Sequence, residues 1–155
     1  MNHAAEVLQR ARVRGMMIAT AESCTGGLIA ATLTEIPGSS DVVDRGFITY
    51  SNAAKIDMLG VPGALIGSHG AVSEEVAEAM AAGALERSDA AFAVSVTGIA
   101  GPGGSEHKPE GRVCFGLASE AETTTETIDF GAIGRTEVRL ATVNHALDLL
   151  YRALA

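Results

Sequence analysis

Tryptophan is absent, aromatic residues make up 4% of the 155 residues, and there are two cysteines and four prolines. A core built on large rings is therefore excluded, and 47% hydrophobic residues with 18 glycines point to helices lying close to a sheet. Cys24 and Cys114 form neither a CxxC pair nor a disulfide framework, so both read as reduced thiols in a cytoplasmic protein. Positive charge is scarce. Eleven basic against 19 acidic residues leave a formal charge of −8, which opposes nonspecific binding to nucleic acid or an anionic membrane. No apolar run approaches the roughly 20 residues needed to cross a bilayer, and the opening "MNHAAEVLQRARVRG" is charged and amphipathic, without the apolar stretch of an export signal. No cluster of His, Cys or carboxylate has metal-ligand spacing, and Asp41 and Asp44 of "DVVD" read as loop caps. GxGxxG, GxxxxGK[ST] and GxSxG are all missing, so neither a dinucleotide cofactor, a P-loop nor a hydrolase elbow is indicated. The expected partner is a small molecule, with no nucleic acid, membrane, metal or cofactor, and homo-oligomer formation is left open.

What is present alternates between helical and strand patterns. Residues 4–14 read as a helix stopped by Gly15, 16–21 as a strand, and 25–35 as a helix ended by the loop "IPGSSD". "RGFITYS", 45–51, reads as a strand, and Asn52 as the cap of a short helix closed by Gly60 and Pro62. Ser73 caps a helix to Arg87. "AAFAVSVTG" reads as a buried central strand breaking into the loop "GIAGPGGSEHKPEG". "RVCFGLAS" and "TTTETIDF" form an antiparallel hairpin at one side of the sheet, and a helix from Thr136 to Leu154 closes the chain. This order predicts a single-domain α/β fold, a three-layer α/β/α sandwich with a mixed sheet, whose ligands bind at the carboxyl ends of strands. Three unusual segments fall there: "ESCTGG", "YSNAAK" and "TGIAGPGG".

Ser23 stands where a strand hands over to a helix, so its hydroxyl is either a helix cap or a nucleophile beside unpaired N–H groups. A serine needs a base to attack well. Lys55 is a candidate, because the first turn of a helix disfavours an ammonium ion, and burial can bring a lysine from about 10.4 towards neutrality; the alternative is a solvated surface lysine. Tyr50 either relays a proton to Lys55 or orients it, or is simply an edge aromatic. Cys24 is a rival nucleophile, since adjacent residues at a strand exit point in opposite directions and one of the two faces the site. Thr97, Gly98, Gly101, Gly103 and Gly104 offer backbone donors to a phosphate or form a plain connection. Ser105, Lys108, Arg112, Arg45, Arg135 and Arg139 are further candidate donors to an anion.

The stretches "TAESCTGGLIAATLTEIPGSSDVVDRGFITYSNAAKIDMLGV", "HGAVSEEVAEAMAAGAL" and "AVSVTGIAGPGGSEHKPEGRVCFGLA" closely resemble the CinA carboxy-terminal domain family, over nearly the whole chain. The resemblance implies hydrolysis of nicotinamide mononucleotide (NMN) to nicotinic acid mononucleotide and ammonia, in pyridine nucleotide recycling. It implies Ser23 as nucleophile, Tyr50 and Lys55 as its activating partners, and "TGIAGPGG" in the same pocket. Backbone N–H groups at Thr25, Gly26 and Gly27 are expected to hold the oxyanion, and Arg45 and Thr97 to meet the substrate. Many CinA proteins carry an additional amino-terminal domain resembling molybdopterin-binding proteins, for which 155 residues leave no room. A noncatalytic nucleotide-binding domain and a partner module associated with competence or DNA damage are the alternatives.

Overall fold

Five apolar or alternating segments pair into one sheet in the computed structural model, which describes residues 3–155. Strands β1 (Ile18–Glu22), β2 (Val43–Ile48) and β3 (Phe92–Gly98) run parallel, while β4 (Arg112–Ser119) and β5 (Thr123–Asp129) continue antiparallel, in the order β2-β1-β3-β4-β5. Helices α1 (Ala4–Arg14), α2 (Leu28–Thr34) and α6 (Arg135–Ala153) cover one face. On the other lie α3 (Asn52–Leu59), α4 (Gly63–His69) and α5 (Glu74–Glu86). The expected α/β/α sandwich with a mixed sheet is therefore the architecture.

The two faces differ in side-chain size. Ile18, Val94, Val96, Val113 and Phe115 pack against α1 and α6 through Val7, Leu8, Val138, Leu147 and Leu150. Each such burial contributes roughly 1.5–3 kcal/mol, so this layer carries much of the apolar stabilisation. Towards α5 the sheet presents Ala19, Ala21, Ala93 and Ala118. The helix comes so close there that a Cβ on Gly116 would lie 2.6 Å from the Ala77 carbonyl oxygen, to which the Ser95 hydroxyl donates at 2.6 Å. Small residues on this face are what the scarcity of aromatics amounts to in three dimensions.

Several boundaries depart from expectation, and the departures shape the site. α2 begins at Leu28 instead of Thr25, because Gly26 and Gly27 take φ of 58° and 110° and carry the chain through a left-handed turn that other residues resist. β1 starts two residues late and β2 ends at Ile48, which leaves Thr49–Ser51 free to cross the carboxyl ends of the strands. Ser51, not Asn52, caps α3: its hydroxyl accepts from the Ala54 N–H at 3.0 Å. Within "IPGSSD" a single 3-10 turn spans Ser39–Asp41. Helix α4 was not expected, because Pro62, Gly63, Gly67 and Gly70 punctuate it.

Candidate active site

β1 delivers Ser23 to the carboxyl edge of the sheet, where its N–H donates to the Val96 carbonyl at 3.1 Å. The first turn of α3 brings Lys55 to the same point. Lys55 is 1% exposed, and its Nζ lies 3.1 Å from Ser23 Oγ, 3.0 Å from the Thr49 carbonyl and 3.2 Å from the Tyr50 carbonyl. No carboxylate accompanies these contacts. Burial pushes the lysine below its ordinary value, against smaller opposing pulls from Cys24 and Glu106. The pull from Cys24 requires a thiolate, yet burial pushes that thiol up to about 12, so it is absent at neutral pH.

This three-contact geometry accommodates both forms of the amine. Two N–H bonds directed at the two carbonyls leave the nitrogen lone pair facing the serine hydroxyl, and protonation adds a third donor in the same direction. Ser23 and Lys55 open onto a cavity of about 310 Å³, lined by the apolar residues Cys24, Val72, Ile99 and Ala100 together with Asn52, Tyr50, Arg135 and the Gly101–Gly104 segment. Arg135 spans the rim, donating to the Gly101 carbonyl at 2.6 Å and to the Tyr50 phenol at 3.2 Å.

The sequence profile of the CinA C-terminal domain matches residues 1–154. The chain belongs to the CinA C-terminal domain family. It is similar to a CinA-like protein of Chloroherpeton thalassium, with 58% identity over 121 residues covering 77% of this chain and 28% of that one. A CinA-like protein of Mycobacterium marinum is 54% identical over 140 residues, covering 89% and 33%. The chain thus spans about a third of the length of these relatives. Among solved structures, the competence/damage inducible protein CihA of Agrobacterium tumefaciens superposes with a TM-score of 0.93 at 54% identity, over 97% of this chain and 92% of that one. The competence damage-inducible protein A (ComA) of Klebsiella pneumoniae gives 0.94 at 36% identity, over 97% and 94%.

In this CinA domain the anticipated residues separate into three groups. Ser23, Lys55, Thr97, Gly98, Gly101, Gly103 and Gly104 all line the cavity, as do Ser105 and Arg135. Tyr50 also lines it, but in a different way from a relay: the backbone carbonyl holds Lys55, while the phenol, on a residue 62% exposed, accepts from Arg135. The Thr97 hydroxyl is engaged with the Ala71 carbonyl at 2.8 Å, and the Gly103 N–H with Glu110 at 2.7 Å. Thr25, Gly26 and Gly27 are not among the residues that line the cavity. The Gly26 N–H donates to the Ser23 carbonyl at 3.0 Å, and the first free N–H groups of α2 are occupied by Glu22. Arg45 sits at the opposite end of the sheet, near the start of β2, where it pairs with Asp44 and donates to the Arg87 carbonyl. Arg112 pairs with Asp129, Lys108 donates to the carbonyls of His69 and Val72, and Arg139 donates to those of Cys24 and Thr25. Cys24 also lines the cavity, but it joins the core packed against α1 and α6, and it is the Ser23 hydroxyl that meets the base. Among the described residues no helix is long and apolar enough to cross a membrane.

Proposed function

We propose that this CinA domain hydrolyses the carboxamide of NMN, yielding nicotinic acid mononucleotide and ammonia through an acyl-enzyme on Ser23. The observation that carries the reading is Lys55 Nζ, buried without a carboxylate and held by two carbonyls 3.1 Å from Ser23 Oγ. A lysine so placed is lowered towards the range in which an amine takes a proton. Lys55 accepts the serine proton as Oγ bonds to the carboxamide carbon. The resulting ammonium sits beside the tetrahedral intermediate, compensates its negative charge and returns the proton to the leaving nitrogen, which departs as ammonia. Water, deprotonated by the same amine, then cleaves the ester and frees the acid. Tyr50 supports the reaction through its carbonyl on Lys55.

The rest of the cavity suits the rest of the nucleotide. Val72, Ile99 and Ala100 offer apolar contacts to the pyridine ring, and Arg135, a cation lining the same cavity, offers a partner to the phosphate. The domain works on a free small molecule, consistent with its net charge of −8. The test is ammonia release from NMN by the purified protein. A folded protein that binds NMN and releases no ammonia would replace this reading with that of a nucleotide-binding domain.

A further inference from the structure

Glu22 is the last residue of β1 and is fully buried, yet its carboxyl group meets no cation. Its oxygens accept instead from the Thr25 hydroxyl at 2.5 Å, the Ile29 N–H at 2.9 Å and the Ala30 N–H at 3.0 Å. A buried acidic side chain is costly unless its hydrogen bonds are complete, and capping a seven-residue helix is a task that a surface serine performs without that cost. What a bond from Glu22 achieves and a local cap does not is closure of the turn between them. The Glu22 side chain joins the residue before Ser23 to three positions after it, so the nucleophile turn is tied at both ends. Its main chain reaches the base as well: the Glu22 carbonyl accepts from the Thr49 N–H at 2.8 Å, and the Thr49 carbonyl accepts from Lys55 Nζ at 3.0 Å.

We infer that Glu22 is a positioning residue, which sets the Ser23–Lys55 distance by locking the serine turn onto α2 while its backbone anchors the segment that holds the lysine. The inference rests on the Ser23–Lys55 chemistry proposed above, but not on the identity of the substrate. In Glu22→Gln one oxygen is kept for Ile29 and Thr25, and the amide NH₂ faces the Ala30 N–H, donor against donor. A displacement of the order of 1 Å costs up to about 100-fold in rate, so kcat is expected to fall roughly 10- to 100-fold with KM changed less than about twofold.

The experiment measures kcat and KM for NMN together with the rate at which phenylmethanesulfonyl fluoride modifies Ser23, on wild type, Glu22→Gln and Thr25→Val, with folding followed by circular dichroism. Parallel falls in kcat and in modification rate, at unchanged KM and in folded protein, are the expected result. If Glu22→Gln does not fold, Thr25→Val removes one of the three donors, and a smaller fall in both rates at constant KM carries the same conclusion. Unchanged rates in a folded variant, or a change in KM alone, overturn the inference. Wild type that is modified at Ser23 but does not turn over NMN removes the substrate assignment and leaves the modification rates to decide on Glu22. Wild type inert to both removes the activated serine and the inference with it.

Discussion

Replacing Gly83 by alanine tests how the base is carried. In the middle of a helix this exchange ordinarily stabilises by about 1 kcal/mol, because glycine gives up more backbone freedom on folding. Here a Cβ at Gly83 would stand 2.1 Å from the Leu59 carbonyl oxygen, against an ordinary contact of 3.4–4 Å, so α3 and α5 must separate by more than 1 Å. The obstacle is backbone, which cannot rotate aside, and overpacking of that severity costs about 3 kcal/mol. The net loss of about 2 kcal/mol lowers the melting temperature by roughly 4–8 °C for a chain of this size. Leu59 lies one helical turn beyond Lys55 on the same buried side of α3, so the shift reaches the amine and turnover falls by roughly 10- to 100-fold. Calorimetry and ammonia release measure the two effects together. Gly67→Ala in α4, where a Cβ meets nothing within 4 Å, is the control and gains up to about 1 kcal/mol. A Gly83→Ala protein as stable and as active as wild type would refute the packing that places Lys55.

Because burial lowers Lys55, the folded protein loses this proton at a pH where the unfolded chain still holds it. Stability therefore rises with pH from the lowered value up to about 10.4 and is lost as pH falls through it, and Lys55→Met flattens that slope in pH-dependent denaturation. The sign carries over to catalysis: kcat/KM climbs through the lowered value and levels off above it, as the neutral amine is the active form. Cys24→Ser keeps activity within about threefold and leaves the pH profile in place, since a thiol pushed up to about 12 stays protonated throughout. Arg45→Ala leaves KM for NMN unchanged, its partners being Asp44 and the Arg87 carbonyl at the far end of the sheet; a rise in KM would place substrate where the structure does not.

Local chemistry made the layers and the two reacting groups readable before any coordinates. Continuous apolar strands, the Ser73 cap and the long closing helix have periodic patterns, Ser23 follows directly on the end of a strand, and Lys55 stands in the first turn of a helix, where the dipole gives an amine meaning. The parts that escaped depend on contacts far apart in sequence. Arg45 looked available because a lone arginine carries no sign of which end of a strand it occupies. Tyr50, five positions before Lys55, was readable as a partner that relays a proton or orients the lysine; its carbonyl holds Lys55, while its phenol is drawn to Arg135, 85 positions away. Glu22 gave no signal, being one acidic residue beside a serine; only the fold shows that it holds the end of α2. Helix α4 was hidden because its glycines and proline are individually helix breakers, and their cost is met by packing of Leu65 and Ile66 against the core on the α5 side of the sheet.

The most direct test is ammonia release from NMN by wild-type protein alongside Ser23→Ala and Lys55→Ala, each confirmed as folded. Turnover by wild type, with accumulation of nicotinic acid mononucleotide in equal amount and its loss in both variants, is the predicted result. Near-normal turnover by a folded Ser23→Ala protein would contradict the account, because no other hydroxyl in the cavity stands against the buried amine.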